Sequence, residues 1–352
     1  MAIRVAGDFD TSYTQDMAVL RQRWHWVLLV AFLLLLFALP LFTSGYVVAV
    51  LNTIGITLIT VQGLNILTGY AGQISLGQAA FMTVGGYISA LLVIHTGLSF
   101  FIALPLAGLG AGLVGLVFGL PSLRVKGFYL AMSTLAAQFI IPWFVRNTYK
   151  DVLNGAQGLV VPVPELAGFQ FDTPNRFFVI TLAVVCLSTF VAHNIGRTRL
   201  GRVLIAIRDN DLAAEVLGIN PFTYKLRAFF ISAFYAGIAG ALWAHQARHI
   251  NSETFDLIDS VWYLGMVVIG GLGTSIGPIF GTVFVRLLRE FVVLISPFIG
   301  RLFPMLEANI LAALGPIVFG LVLMLFLIFE PRGLAHRWQI LKAAWRLRPF
   351  AY

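Results

Sequence analysis

An all-α, polytopic membrane protein with about ten spanning helices is the fold class this sequence predicts, on three observations. Of its 352 residues, 59% are hydrophobic and 11% are charged, against about 25% charged in ordinary globular domains. Apolar runs of spanning length recur along the whole chain. Its 23 Lys and Arg residues are shared unevenly between the connections. With a mean hydropathy of +0.91, a water-soluble protein would lack the polar surface to cover itself. The one cysteine, Cys186, lies in an apolar run and excludes a disulfide scaffold.

A helix crossing about 30 Å at 1.5 Å per residue needs roughly 20 apolar residues. In chain order, the runs are 26–43, 46–67, 75–94, 98–120, 128–145, 176–193, 226–244, 258–273, 276–298 and 306–329. Residues 1–25 form a cytoplasmic tail of mixed charge. They lead straight into a full-length span with no small-residue cleavage site, so they do not read as a signal peptide. With that tail inside, the inner connections carry 16 Lys and Arg and the outer ones 5. This positive-inside bias predicts two cytoplasmic termini around a transmembrane domain of 26–330. All seven tryptophans fall at span ends or in the tails, as an interfacial belt would place them. An outer loop, 146–175, is rich in Gly, Pro and Asn. The inner loop, 194–225, is basic at its start and then reads as a short helix. Residues 331–352 place Leu334, Trp338, Leu341 and Trp345 at helical spacing among basic residues. They read as an amphipathic helix on the inner membrane face.

Two glycine-rich breaks interrupt the spans. In the segment 63–78, Gly69 and Gly72 permit non-helical backbone. Around them Asn65, Thr68, Tyr70, Gln73, Ser75 and Gln78 supply hydrogen-bonding groups. Ser75 with Gln78 forms an S-x-x-Q capping box, so a helix is expected to start there with N–H groups free for a carboxylate. A second break, 268–278, follows a short apolar run, 260–273. Thr274 and Ser275 are its polar members, and Ser275 with Pro278 marks a helix start. Short, glycine-interrupted spans point to a transport path; a packed inter-helix turn is the plainer reading.

In the inner loop, Asp209, Asn210 and Asp211 are N-cap candidates, and Gly218 suits the position after a helix end. A two-turn helix is therefore expected to project with Leu212, Val216 and Leu217 exposed and in need of a cover. A self-packed hairpin is the alternative.

Catalytic signatures are absent from the sequence. No G-x-x-x-x-G-K-[ST] stretch occurs, and Gly271, Gly273 and Gly277 lack the spacing and strand–helix setting of a dinucleotide site. His245 and His249 share i, i+4 spacing without H-E-x-x-H, so an interfacial pair is expected rather than zinc. No metal, no cofactor on this chain and no nucleic acid are expected. Within the spans, Glu290 with Arg286 and Arg289 is the main charge. A locally paired cluster facing the interior is the favoured reading. So few intramembrane charges argue against an ion- or proton-coupled carrier, and the driving energy is expected to enter elsewhere.

At these residues the chain resembles the LivM-type permease subunit of branched-chain amino acid ABC transporters. The resemblance covers about residues 45–335. It rests on GLNILTGYAGQISLGQAAF at 63–81, AIRDNDLAAEVLGIN at 206–220, GGLGTSIGP at 270–278 and FEPRGL at 329–334. It implies an ATP-driven importer of branched-chain or other small amino acids in the bacterial inner membrane. Its implied partners are a second permease of similar fold, two cytoplasmic subunits that hold ATP and Mg, and a solute-binding protein outside. The match makes 209–218 the helix that docks on the ATPase. Arg208, Asp209, Asn210, Ala213, Ala214, Glu215, Leu217 and Gly218 are the residues expected to couple it. The loop reads Ala213-Ala214-Glu215, which departs from the E-A-A order of many importers. Relatives carrying urea or short amides, and a stand-alone secondary transporter or channel, are the alternatives.

Overall fold

The structure, a computed structural model, describes residues 23–120, 128–148, 150–166, 168–302 and 307–347. Arg4, Arg21, Arg124, Lys126 and Arg348, all counted in the charge bias, lie outside the described residues.

Helices overlie the apolar runs: α1 (Arg23–Phe42), α2 (Gly45–Leu64), α3 (Gln78–Thr96), α4 (Phe100–Gly119), α5 (Phe128–Asn147), then a short α6 (Lys150–Leu153) and α7 (Pro174–Arg197). After the basic connection α8 (Arg199–Asp209) and α9 (Asp211–Val216) come α10 (Pro221–Ala247), α11 (Leu257–Gly270), α12 (Gly277–Leu302), α13 (Glu307–Phe329) and α14 (Leu334–Leu347). Among the described residues, five helices are long and apolar enough to cross a membrane, or six if the pair bent by 48° at 330–333 is one span. The protein is thus all-α and polytopic. The exceptions are two antiparallel pairs of two-residue strands, β1 (Leu159–Val160) with β4 (His249–Ile250) and β2 (Glu165–Leu166) with β3 (Phe169–Gln170).

α10 is the central helix and packs on α2, α3 and α4. Apolar side chains gain nothing by leaving lipid for each other, so close packing has to hold such helices together. Small residues make it possible here. Ala228, Ala233, Ala236, Ala239 and Ala244 of α10 are fully buried. A Cβ at Gly240 would run into the Met82 carbonyl, and one at Gly237 would come within 2.5 Å of Ala111 Cβ. A buried polar node fastens the same helices. Gln78 Nε2 donates to Thr60 O at 3.2 Å and Ser232 O at 3.2 Å, and Ser232 Oγ donates to Gln78 Oε1 at 3.1 Å.

Contacts sort the connections onto two ends of the bundle. At one end Arg146 pairs with Glu253 at 3.2 Å, Asn175 donates to Pro40 O at 3.1 Å, and β1 joins β4. At the other end residues 69–73, 208, 271–274 and 332–335 meet.

Three side-chain expectations are corrected. Trp262 is buried and stacks on Phe319 with ring centres 3.9 Å apart, so it belongs to the core and not to a belt. His245 and His249 do not face each other. His245 is buried between Pro162 O at 3.1 Å and Ser89 Oγ at 3.0 Å, and His249 Nε2 approaches Gln157 O at 3.1 Å. A carbonyl can only accept, so His245 Nδ1 carries the proton and Nε2 accepts from Ser89. Finally, Arg286 and Glu290 form no ion pair within 4 Å.

Candidate functional site

The two glycine-rich breaks lie against each other. Instead of stopping at Gly69, α2 runs on as a π-helical segment, Asn65–Tyr70, ending with an Ala71 N–H to Ile66 O bond of 3.3 Å. Widened turns of this kind recur at functional sites. The buried Asn65 amide spans the gap to the second break. Its Nδ2 donates to Thr274 O at 3.0 Å and its Oδ1 accepts from Gly273 N at 3.0 Å. Gly69 is needed for the fit, because a Cβ there would lie 2.5 Å from Gly273 N. Gly273 itself has φ +71°, a conformation few other residues adopt.

Arg208, next to last in α8, completes this joint. Its Nη1 donates to Gly69 O at 2.7 Å, and its Nε and Nη2 hold Asp209 Oδ1 at 3.1 and 3.0 Å. The side chain packs on the turn at Gly72, where φ is +68°. α8 falls where the sequence reads as a basic loop. Its buried Val203, Leu204 and Ile207 sit at helical spacing, a signal available in the sequence but masked by the flanking charges.

From Arg208 the chain turns into α9. Of the three N-cap candidates Asn210 does the capping, its Oδ1 accepting from Ala213 N at 3.0 Å. Asp211 instead pairs with Lys225 at 3.7 Å. Gly218 ends the turn at φ +80°, with its N–H on Glu215 O at 2.9 Å. Ala214 is buried against Val203 and Ile207, which fixes the helix to α8. The opposite face is bare: Leu212, Val216 and Leu217 are 66%, 88% and 79% exposed. Ala213 and Glu215 share that exposure.

The remaining residues of the first break do not form the expected carboxylate cradle. Residues 71–77 are non-helical, and α3 begins at Gln78 with Gly77 as an N-cap that offers no side-chain bond. The S-x-x-Q box does not form, because the Gln78 amide is drawn into the node with Thr60 and Ser232. Neighbouring helices cap α3 instead. Ala79 N donates to Ser260 Oγ, Ala80 N to Gln138 Oε1 and Leu76 N to Thr134 Oγ1, each at 2.9 Å. Thr68 donates to Gln73 O at 3.0 Å, and Tyr70 packs on Gly196. Ser75 is fully buried, its Oγ 3.4 Å from Gly77 N. At the second break Thr274, not Ser275, accepts from Gly277 N at 3.0 Å. Arg332 O and Gly333 close over Gly271. So Asn65, Thr274 and Arg208 come together, Thr68 and Gln73 border them, and Gln78 belongs to the node with Thr60 and Ser232.

Sequence reasoning missed a cavity. About 360 Å³ lies between α2, α11 and α12, bordered by Thr254 and Phe255 ahead of α11. Arg286, Arg289, Glu290 and Asp259 line it together with Thr53, Thr57 and Tyr263. Arg286 donates to Thr57 Oγ1 through Nε at 3.0 Å and Nη2 at 2.5 Å. Glu290 accepts from Tyr46 Oη at 2.6 Å, and Arg289 lies 5.9 Å from the Trp262 ring centre. Asp259 and Asp256 make the reciprocal capping box that starts α11. Asp259 stands at the end of its run and reads as a plain cap, which hid its place beside the arginines.

Comparison with known proteins gives a consistent picture. Residues 46–327 match the family described as branched-chain amino acid transport system, permease component. The chain is 34% identical over 286 residues to the high-affinity branched-chain amino acid transport system permease protein LivM of Escherichia coli K12, covering 74% of this chain and 67% of that one. The LivM of Salmonella typhimurium gives the same identity and coverage. A probable branched-chain amino acid transport permease LivM of Methanocaldococcus jannaschii is 24% identical over 326 residues, 80% of this chain and 90% of that one.

Proposed function

This chain belongs to the permease-component family of branched-chain amino acid transport systems, and from that premise we propose how its parts move a solute. It is the permease subunit of an ATP-driven ABC importer and carries small aliphatic amino acids into the cytoplasm by alternating access. It crosses the bacterial inner membrane ten times, with both termini inside. It pairs with a second permease of similar fold, and a solute-binding protein delivers from outside. ATP and Mg are held by two cytoplasmic subunits.

The observation that carries this reading is the arginine joint. Arg208 bonds the Gly69 carbonyl, while Asn210, two residues on, caps the helix with the bare apolar face. A force that shifts α9 therefore reaches the π-helical turn through one guanidinium. Through Asn65 it reaches the turn at Gly273. On this reading the joint closes the inner end of the path, and the polar cavity lies beyond it. Leu212, Val216 and Leu217 supply the apolar contact to the ATPase. Burying three such side chains is worth several kcal/mol at roughly 1.5–3 kcal/mol each.

The test is reconstitution of the complex that co-purifies with this chain. Leucine uptake into proteoliposomes should require ATP on the ATPase side. The double variant Leu212→Asp, Val216→Asp should insert normally and lose uptake by about tenfold or more, as truncated interface anchors do. Uptake by this chain alone, without ATP, would overturn the reading.

A further inference from the structure

We propose that the cavity between α2, α11 and α12 binds one zwitterionic aliphatic amino acid during transport. Arg286 and Arg289 take its carboxylate, and Asp259 and Glu290 take its ammonium group. The proposal rests on the reading of the chain as an amino acid permease and assigns the solute a place within it.

Four charged groups in one cavity of a membrane bundle are costly, and such groups normally pair with each other. Here they do not. Among the described residues no ion pair within 4 Å joins either arginine to either carboxylate. Other partners hold them apart instead: Arg289 lies over the Trp262 ring, Asp259 takes the Asp256 N–H, and neutral hydroxyls meet the other two. Thr57 takes the Arg286 guanidinium and Tyr46 donates to Glu290, although i, i+4 spacing on α12 would let those two meet. The set carries two positive and two negative groups. A neutral solute with separated charges satisfies both halves, whereas a simple cation or anion leaves one half unmatched. A carboxylate between two guanidinium groups gains strong charge-assisted bonds.

The rest of the lining fits the remaining part of such a solute. Ile56, Met82, Phe255 and Trp243 present apolar surface to the same space. A volume of about 360 Å³ is at the small end of ligand pockets, which span roughly 300–1,000 Å³. That suits a single amino acid and not a peptide.

Thiol protection in the purified complex in nanodiscs tests the assignment. The variant Thr53→Cys, made in a Cys186→Ser background, places a thiol in the cavity wall. Saturating L-leucine should protect this thiol from alkylation. Isovalerate, which lacks the ammonium group, and isoamylamine, which lacks the carboxylate, should protect far less. Adding Arg286→Gln should raise the leucine concentration for half-protection by about 10- to 100-fold, the loss of a charge-assisted bond. Equal protection by all three compounds, or none by leucine in a complex that still imports leucine, would overturn the cavity site while leaving the permease reading intact. A complex that imports no amino acid would overturn the permease reading itself. If Arg286→Gln fails to insert, the protection pattern of the Thr53→Cys variant decides alone.

Discussion

Asn65 and Gly69 show how a single residue can hold two distant segments together. The Asn65 amide uses both its donor and its acceptor on the backbone of the second break, more than 200 residues away. Replacing Gly69 by Ala forces a methyl group against Gly273, an overpacking that costs about 1–3 kcal/mol. Gly69→Ala should lower both the thermal unfolding midpoint and the transport rate. Gly45→Ala, with nothing within 4 Å of the added carbon, should change neither by much. Near-wild-type behaviour of Gly69→Ala would remove the close approach from the account. The glycines and polar residues of both breaks are legible in the sequence as places where helices fail. Their meeting is not, because nothing in local pattern encodes which turn faces which. The Gln78 amide shows the other limit. Local spacing favours a capping box, but a buried amide in a bundle goes to the partners that satisfy most of its bonds, here Thr60 and Ser232.

At the scale of elements, α9 is too short to be stable alone, since isolated helices under about 12 residues are marginal in water. It exists because Asn210 caps it, Gly218 ends it and Ala214 anchors it on α8. Asn210→Ala should cost about 1 kcal/mol, and Gly218→Ala about 1–2 kcal/mol for forcing a β-carbon into a left-handed turn. Both variants should insert, and both should show fewer solute molecules imported per ATP hydrolysed, measured in proteoliposomes. An unchanged ratio would mean that the order of this helix does not matter to coupling. Its caps and bare face are readable from sequence because they are set by neighbours within a few residues. α8, which positions it, goes unread because its charges fall on the exposed side and imitate a basic loop.

For the whole molecule, the separation of the connections onto two ends makes a topological prediction. Contacts tie the 146–175 loop to residues 245–253 and hold it away from Arg208 and Gly273. A glycosylation or fluorescence reporter placed at 154–158 should therefore lie outside the cytoplasm, and one after residue 347 inside. Finding both on the same side would break the ten-crossing arrangement. Apolar length and charge asymmetry suffice to lay out the helices from sequence. They do not reveal the polar cavity, because its members come from five helices and one connection, and each has an innocent local role: a cap at Asp259, a flank at Trp243, threonines in apolar turns.

The bond between Arg208 and Gly69 ends on a main-chain oxygen. Every amino acid carries that oxygen, so no exchange at position 69 can delete the acceptor itself. The tether can be cut chemically from one side only. An allele that removes this one bond, or a small molecule meant to break it, would have to act on the guanidinium.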